Sequence, residues 1–281
     1  MNIKQALFRA KMLLAGNNIE DASIESEVLL GYVLGIDRAR LLASLDADIS
    51  PEQRQNFMKL VARRSKGEPT AYITGHREFY GLDFNVNPQV LIPRPETELL
   101  VDRAISLCRE YKYNKIADIG TGCGAIAVSL AVTMPGIHIY ATDISDGVLR
   151  VAGQNAAKHG AEDRIKFLKG ELLEPLQEPV DLIIANLPYV RQREIPAKGP
   201  LSYEPASALN GGEEGLDKIG GLCRGVGSKL NSNGSLLLEI GQGQGEAVKV
   251  ILHKYFPLAD IEIEKDLAGI ERMVVLRLTQ Y

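Results

Sequence analysis

The segment from Asp181 to Tyr189 joins a predicted buried strand to side chains that can hold a planar NH2 group. Its first five residues are apolar after the opening aspartate, which is typical of a short strand inside a sheet. The residues that follow are Asn186, Leu187, Pro188 and Tyr189. The Asn186 carboxamide oxygen and a neighbouring backbone carbonyl can accept two N–H bonds, Pro188 stiffens the turn, and the Tyr189 ring offers a face for stacking. An ordinary strand-to-loop turn can use the same residues, so this tetrad needs a second signal.

The second signal is a glycine-rich segment, residues 118–124, with the sequence Asp-Ile-Gly-Thr-Gly-Cys-Gly. It ends another predicted strand and opens a helix, where glycines let the backbone approach a ligand closely. Gly120, Gly122 and Ala125 match the dinucleotide fingerprint G-x-G-x-x-G/A, and Asp143 follows about 20 residues later. An acidic residue there accepts hydrogen bonds from the ribose of any nucleoside. The glycine turn alone therefore leaves both nicotinamide dinucleotides and S-adenosylmethionine open.

Two features favour S-adenosylmethionine over a nicotinamide dinucleotide. Asp118 stands just before the glycines, where a carboxylate would repel a pyrophosphate but can pair with the α-amino group of a methionine moiety. The tetrad follows a strand whose carboxyl end should lie near the glycine turn, at the switch point of a parallel sheet. We therefore expect the tetrad to lie beside a ligand that is held by the glycine turn.

The composition of the 281-residue chain restricts its possible partners. Hydrophobic residues make up 45% and charged residues 24%, as in ordinary globular proteins. The formal net charge is −4, so the chain has no general basic field for a nucleic-acid backbone. Cys108, Cys123 and Cys223 are too far apart for a zinc site or a disulfide framework, and we expect no metal. Without a signal-peptide pattern or a membrane-length apolar run, the sequence predicts a cytoplasmic protein.

Three segments of different character are predicted along the chain. Residues 1–74 show helical spacing, with one helix beginning at the N-cap Ser50. Residues 75–93 contain a hairpin pattern with Gly81 at its turn. Residues 94–281 alternate strands with helices, which predicts an α/β domain with a Rossmann-like, mostly parallel sheet of seven strands.

The order of elements in this α/β segment also predicts one antiparallel edge. Strands are expected at residues 116–119, 137–142, 165–168, 182–185, 235–240, 259–263 and 273–278. The last two are joined only through residues 266–270, a connection that is too short for a parallel crossover. A long aperiodic stretch between Tyr189 and Gly215 is expected to form a lid or a substrate-contacting loop.

Two longer segments carry a resemblance to a known family. Residues 92–98 read Ile-Pro-Arg-Pro-Glu-Thr-Glu, and residues 203–212 read Tyr-Glu-Pro-Ala-Ser-Ala-Leu-Asn-Gly-Gly, with Gly-Leu-Asp at 215–217. The glycine turn, Asp143 and the tetrad are similar to motifs of class I S-adenosylmethionine-dependent methyltransferases that act on planar nitrogens. Together with the two longer segments, they make essentially the whole chain resemble the peptide chain release factor glutamine N5-methyltransferase family.

The resemblance implies methyl transfer from S-adenosylmethionine to a glutamine side-chain amide, with S-adenosylhomocysteine as the product. The glutamine would be that of the Gly-Gly-Gln tripeptide of class 1 release factors, which act in translation termination. The resemblance also implies that residues 1–74 hold this protein substrate and that residues 94–281 are the methyltransferase domain. We expect a monomer without stable nucleic-acid binding.

One position departs from the family pattern. The family tetrad usually reads Asn-Pro-Pro-Tyr, whereas this chain has Leu187 in the second position. Asn-Leu-Pro-Tyr also resembles the tetrad of adenine N6-methyltransferases that act on RNA or DNA, so that alternative stays open. The protein substrate is favoured because the second position contributes its backbone carbonyl, which leucine retains, and because the two flanking segments resemble those of the release-factor family.

The resemblance implies a site with an acceptor side and a cofactor side. On the acceptor side, Asn186 and the Leu187 carbonyl would accept the two N–H bonds of the substrate amide. The catalytic and substrate-binding residues are expected to be Asn186, Leu187, Pro188 and Tyr189, with Arg94 and Glu96 shaping the entrance. The cofactor-binding residues are expected to be Asp118, Gly120, Thr121, Gly122, Cys123, Gly124, Asp143, Ile144, Glu171, Leu172 and Asn186.

Overall fold

The computed structural model describes residues 1–278, and the chain divides into two compact units. The first unit contains residues 1–76 together with residues 196–203. The second contains residues 77–195 and the chain from Glu204 onward. The last three residues of the predicted methyltransferase domain, 279–281, lie outside the described residues. The domain boundaries near residues 74 and 93 stay predictions.

The first unit is helical. Its helices are α1 (Ile3–Ala15), α2 (Ala22–Leu34), α3 (Arg38–Ala43), α4 (Pro51–Ser65) and α5 (Thr70–Thr74). The predicted start of α4 is confirmed: Ser50 Oγ accepts from the Gln53 backbone N–H at 3.1 Å, and Gln53 Oε1 accepts from the Ser50 N–H at 2.8 Å. Phe57 and Val61 of this helix are fully buried and pack with apolar residues of α1 and α2.

The predicted hairpin is confirmed. It consists of β1 (His76–Phe79) and β2 (Leu82–Asn85), joined by Tyr80 and Gly81. Tyr80 has φ 53° and Gly81 has φ 71°, so both residues of the turn are left-handed. Positive φ at both central positions matches the right-handed twist of the two strands, and glycine reaches it without steric cost.

The second unit is built on a seven-stranded sheet with the order β5-β4-β3-β6-β7-β9-β8. The strands are β3 (Lys115–Ile119), β4 (His138–Asp143), β5 (Ile165–Lys169), β6 (Val180–Ala185), β7 (Leu230–Glu239), β8 (Asp260–Lys265) and β9 (Glu271–Arg277). The helices are α6 (Glu98–Tyr111), α7 (Ala125–Thr133), α8 (Asp146–Lys158), α9 (Ala206–Leu209), α10 (Asp217–Lys229) and α11 (Gly245–Tyr255). Among residues 1–278, no helix combines the length and apolar character needed to cross a membrane.

The predicted α/β fold class is confirmed, including the antiparallel edge. β3 to β7 run parallel, whereas β9 is antiparallel to both β7 and β8. The apolar run from Leu182 to Ala185 lies at the centre of the sheet, and these four side chains are no more than 1% exposed. Burial on both faces explains why this strand is continuously apolar rather than alternating.

The register of the central strands fixes which residues meet at the carboxyl edge of the sheet. Ile119 of β3 pairs with Ala185 of β6, so the glycine turn and Asn186 leave the sheet side by side. β3 has β4 on one side and β6 on the other, which makes this edge the topological switch point. On the far side of β6, Ala185 pairs with Leu238, which brings Glu239 next to Asn186.

Candidate active site

A cavity of about 220 Å³ opens at the carboxyl ends of the central strands. Its lining includes the glycine turn, the residues after β4, and the first residues of the tetrad. The lining also includes Gly170, Glu171, Leu172 and Lys218. Two further segments contribute to it: Gln89, Val90, Leu91, Pro93, Arg94 and Thr97 from one, and Pro205, Ser207 and Ala208 from the other. The second of these segments belongs to the long aperiodic stretch, which therefore does contribute to the wall of the cavity.

The glycine turn depends on backbone conformations that side chains disfavour. Gly120, Gly122 and Gly124 have φ values of 74°, 57° and 84°. A Cβ on Gly120 would lie 3.2 Å from Leu187 Cδ2, and no heavy atom lies within 4 Å of a Cβ on Gly122. The backbone at Gly122 is therefore open to a ligand, and the turn at Gly120 packs directly on the tetrad.

Asp143 lies beside this turn, at the end of β4, and lines the same cavity. Its carboxylate accepts from the backbone N–H of Gly122 at 3.3 Å and of Ser145 at 3.2 Å. Burial raises the pKa of the carboxyl, and the backbone N–H groups of Ser145, Gly122 and Ile144 act in the opposite direction. These contacts hold the Asp143 carboxylate at the cavity wall. A carboxylate in this position can accept hydrogen bonds from the hydroxyl groups of a ribose.

Asn186 is held by two side chains behind it. Its Nδ2 donates to Glu239 Oε2 at 2.9 Å and to Thr97 Oγ1 at 3.1 Å. A carboxylate can only accept, so the NH2 end of the amide must face Glu239. The side-chain NH2 group of Asn186 is thus occupied by Glu239 and Thr97, and its carbonyl oxygen can accept a hydrogen bond from a ligand in the cavity.

Glu239 is a buried carboxylate, with only 3% of the residue exposed. It accepts from Thr97 Oγ1 at 2.6 Å and from the Tyr189 hydroxyl at 3.3 Å, in addition to Asn186. Burial raises the pKa of Glu239, while the Thr97 and Tyr189 hydroxyls oppose the shift. Burial, followed by the charge of Glu239, also raises the pKa of Tyr189, so its hydroxyl stays a donor near neutral pH.

Two further contacts fix the chain around the tetrad. Gln244 donates from Nε2 to the Tyr189 carbonyl at 3.0 Å and accepts from the Gly241 N–H at 2.8 Å. Arg94 donates from Nη2 to Glu204 Oε1, and the Ile92 N–H donates to Glu204 Oε2 at 3.1 Å. The Glu204 side chain is 1% exposed and that of Arg94 32%, so this partly buried ion pair connects the long aperiodic stretch to the segment around Arg94.

Comparison with known proteins gives two family-model matches. The model described as the PrmC N-terminal domain matches residues 5–75, and the methyltransferase small domain matches residues 96–198. The release factor glutamine methyltransferase of Moorella thermoacetica is 40% identical over 274 residues, which covers 97% of each chain. That of Geobacter sulfurreducens is 38% identical and covers 97% of this chain and 95% of the relative.

The chain belongs to the release factor glutamine methyltransferase family. Membership of this family confirms the resemblance that the two longer sequence segments predicted. A solved structure of the ribosomal protein L11 methylase from Lactobacillus delbrueckii is 22% identical, with a TM-score of 0.51, and covers 69% of this chain and 84% of the methylase. This likeness concerns the fold. The methyltransferase small domain accounts for the glycine turn, Asp143 and the tetrad, all within its matched residues.

In this member of the release factor glutamine methyltransferase family, most of the predicted site residues meet at the cavity. The predicted residues in its lining are Arg94, Gly120, Thr121, Gly122, Cys123, Asp143, Ile144, Glu171, Leu172, Asn186, Leu187 and Pro188. Tyr189 lies behind them against Glu239. Gly124 supports the start of α7, where a Cβ would lie 3.2 Å from Ala152 Cβ. Glu96 instead faces Arg272 at 3.9 Å.

The structure does not bring Asp118 to the cavity surface. Only 1% of the residue is exposed, and its Oδ2 accepts from Thr121 Oγ1 at 2.7 Å. The sequence predicts that the Asp118 carboxylate pairs with a ligand's α-amino group, but the carboxylate is not exposed to the cavity as this pairing requires. A strand that is buried on both faces gives no alternation from which the direction of this side chain can be read. In the structure, Asp118 supports the glycine turn through Thr121.

Four residues at the site are not among the predicted site residues: Thr97 and Glu204, which stand within the two longer segments, and Glu239 and Gln244. A usable signal existed for Glu239, because a carboxylate that ends an apolar run in a central strand is seldom buried without a purpose. The glycine-rich segment 241–245 has the pattern of a simple turn into the last helix, yet Gln244 within it also binds the tetrad backbone.

Asp118 gives a prediction about pH and stability. Burial raises the pKa of its carboxyl from 3.8 to about 6, against the opposing hydrogen bonds from Thr121 and Ala127. Between these two values the folded state binds more protons than the unfolded state, so the free energy of unfolding falls as pH rises through this window. In Asp118→Asn this loss should be absent. The free energy of unfolding of the variant, relative to that of wild type, should therefore rise by about 2 kcal/mol between pH 4 and pH 7.

Urea unfolding at a series of pH values measures this difference. The control is Asp163→Asn, which removes an exposed carboxylate from the same unit and should follow the wild-type pH dependence. Parallel curves for wild type and Asp118→Asn between pH 4 and pH 7 would show that Asp118 titrates near its ordinary value.

Proposed function

We propose that the protein transfers a methyl group from S-adenosylmethionine to the glutamine side-chain amide in the Gly-Gly-Gln tripeptide of class 1 peptide chain release factors. The observation that carries this proposal is the Asn186 amide, whose oxygen is left for the cavity because its NH2 faces Glu239 and Thr97. Relatives at 40% and 38% identity over nearly their full length are named release factor glutamine methyltransferases, which supports the choice of substrate.

The cofactor fits the donors that line the cavity. The open backbone at Gly122 suits close approach by a ligand, and the Asp143 carboxylate suits the ribose hydroxyls. Ile144 and Leu172 supply apolar walls next to these polar groups, with Glu171 at the rim paired to Lys218 at 2.8 Å. We propose these residues, with Thr121 and Cys123, as the cofactor-binding set. When bound, S-adenosylmethionine supplies an electrophilic methyl group on its sulfonium.

The residues of the tetrad position the acceptor nitrogen. An amide nitrogen is a poor nucleophile because its lone pair is delocalised into the carbonyl, so its orientation decides the rate. Asn186 Oδ1 and the Leu187 carbonyl accept the two N–H bonds and aim the nitrogen toward the cofactor side of the cavity. Tyr189 packs beside the amide plane, its hydroxyl fixed by Glu239. Fixed acceptors at the substrate NH2 group also stabilise the positive charge that develops there.

Adenine N6-methylation is the second candidate, since the Asn-Leu-Pro-Tyr tetrad resembles that of adenine N6-methyltransferases. The structure places the Leu187 side chain against the glycine turn, with 5% of the residue exposed, so leucine offers the substrate little beyond its carbonyl. The net charge of −4 also gives no field for a nucleic-acid backbone. The first observation removes leucine as an argument for adenine, and the second favours the protein amide over an adenine base.

A labelling experiment distinguishes the two substrates. The protein is incubated with S-adenosylmethionine that carries a labelled methyl group, together with a class 1 release factor, undermethylated ribosomal RNA or DNA. We expect label on the release factor alone, at its Gly-Gly-Gln glutamine, and no label when that glutamine is replaced by alanine. Label on adenine bases with none on the release factor would reject the protein substrate.

We also propose a role for the helical unit. Residues 5–75 match the PrmC N-terminal domain, and we assign to residues 1–74 the recognition of the release factor outside its tripeptide. The substrate is part of the translation machinery, so we place the enzyme in the cytoplasm, where it acts as a monomer.

A further inference from the structure

The tetrad asparagine forms a triangle of hydrogen bonds with two side chains from distant segments. Thr97 lies just before α6, Asn186 follows β6, and Glu239 ends β7. Thr97 Oγ1 donates to Glu239 at 2.6 Å, Asn186 Nδ2 donates to Glu239 at 2.9 Å, and Asn186 Nδ2 also donates to Thr97 at 3.1 Å. Each donor in this group therefore has an acceptor within the group.

The direction of these bonds follows from the chemistry of the carboxylate. An amide can turn by half a rotation about its last torsion, which exchanges its oxygen and its NH2 group at small cost. Turned that way, Asn186 would direct its oxygen at the Glu239 carboxylate and its NH2 group at the acceptor pocket. A substrate NH2 group would then meet donors instead of acceptors. Glu239 excludes this arrangement because two acceptors repel each other in a buried setting.

We propose that Glu239, supported by Thr97, is a positioning residue that locks the Asn186 amide with its oxygen toward the substrate nitrogen. This inference rests on the proposed function, since it assigns the means by which the tetrad recognises a donor NH2 group. Glu239 acts only through Asn186 and Tyr189, and it takes no part in a bond-making step.

The burial of Glu239 supports a role beyond folding. A buried carboxylate is costly unless donors compensate it, and an apolar side chain would fill the end of a central strand without that cost. Three donors from Thr97, Asn186 and Tyr189 compensate Glu239. The charged groups that face Glu239 from neighbouring segments are Glu96 and Arg272. Their charges are of opposite sign, so Glu239 is not neutralised by one cationic partner. Two of the three donors that the carboxylate organises, Asn186 and Tyr189, belong to the tetrad.

Three variants test this inference through kinetics on the release factor. In Glu239→Gln the amide oxygen can accept from Thr97 and Asn186, while its NH2 group faces the Tyr189 hydroxyl, which can accept. We expect this variant to keep kcat within about tenfold of wild type. Glu239→Met removes the acceptor at similar volume, and we expect kcat to fall about 100-fold with the cofactor Kd unchanged. The exposed Glu246→Met on α11 is the control and should match wild type.

A paired substitution tests the direction of the hydrogen bonds independently of packing. Asn186→Asp places a second carboxylate against Glu239, and we expect a loss of at least about 100-fold in kcat. Adding Glu239→Gln restores a donor opposite an acceptor. The glutamine introduced at position 239 donates from its NH2 group to the aspartate introduced at position 186. The other oxygen of that aspartate then faces the substrate. The double variant should recover about tenfold or more over Asn186→Asp alone.

The outcomes separate this inference from the proposed function. Wild-type kcat in Glu239→Met, or a double variant no more active than Asn186→Asp, would overturn the positioning role of Glu239. The cofactor Kd and the circular dichroism spectrum of each variant show whether the protein is folded, so a loss of activity through unfolding is recognised directly. Absence of label on the release factor with wild-type protein would instead overturn the proposed function.

Discussion

Replacement of Asn186 by alanine should reduce kcat for methylation of the release factor by about 1000-fold. The variant removes the side-chain acceptor that orients the substrate nitrogen, and it leaves Glu239 and Thr97 paired with each other. The cofactor should still bind with a Kd within about threefold of wild type, because Asp143 and the glycine turn are unchanged. Single-turnover kinetics and calorimetry measure the two quantities separately.

Asn231→Ala is a matched control for this result. Asn231 also donates from its carboxamide to a carboxylate, Asp181 Oδ1 at 2.7 Å, but near the opposite edge of the sheet. Its loss should leave kcat and the cofactor Kd at wild-type values. If Asn186→Ala turned over as fast as Asn231→Ala, the tetrad would be an ordinary turn and the acceptor site would lie elsewhere.

Asp143→Ala should weaken the binding of S-adenosylmethionine by about 1–3 kcal/mol, which is about 5- to 150-fold in Kd. The substitution removes the proposed acceptor for the ribose hydroxyls. It also removes the carboxylate that holds the Gly122 N–H at 3.3 Å, so the glycine turn loses one of its supports. At saturating cofactor, kcat should fall much less than the affinity, because the acceptor side is intact.

The control for Asp143 is Asp146→Ala, three residues later in the chain. Asp146 is exposed, pairs with Lys169 at the surface and is not part of the cavity lining. Exposed ion pairs contribute little, so its loss should leave the cofactor Kd unchanged. Equal affinities of Asp143→Ala and wild type, measured by calorimetry, would place the ribose away from Asp143.

The sheet could be predicted because its strands carry strong local signals. The run Leu182 to Ala185 is apolar since the strand is covered on both faces, and Gly81 marks a turn that needs positive φ. The short connection through Asp266 permits only an antiparallel pair at the edge. In each case the signal depends on residues that are close together in the sequence. Such local patterns can be recognised without knowledge of the fold.

The helical unit shows where such local patterns fail. Phe8, Met12, Val28 and Tyr32 are apolar residues at helical spacing, yet each is at least 41% exposed. In α1, the core face is formed by Ile3, Ala6, Ala10 and Leu14, so two of its four core residues are alanines. Periodicity predicts the helix, but which of two apolar stripes is buried depends on the neighbouring helices.

The acceptor side of the site could be predicted only in part, for a similar reason. Asn186 and Tyr189 stand out because they are adjacent to a predicted strand and to each other. Their partners Thr97 and Glu239 are separated by 142 residues, and Gln244 lies 55 residues after Tyr189. No local pattern encodes these pairs, because they exist only once β6 and β7 are paired in register.

From the span of these contacts we expect an order in which the site forms during synthesis of the chain. A chain that has emerged only as far as Tyr189 already contains the glycine turn, Asp143 and the whole tetrad, but not Glu239. Contacts between distant segments form late, because closing the intervening loop costs entropy before the contact repays it. Such a nascent chain therefore contains most of the residues proposed to hold the methyl donor, while Asn186 still lacks its Glu239 partner. Pairing of β7 with β6 is the step that brings Glu239 to Asn186, so the completed sheet is itself the condition for an ordered acceptor site.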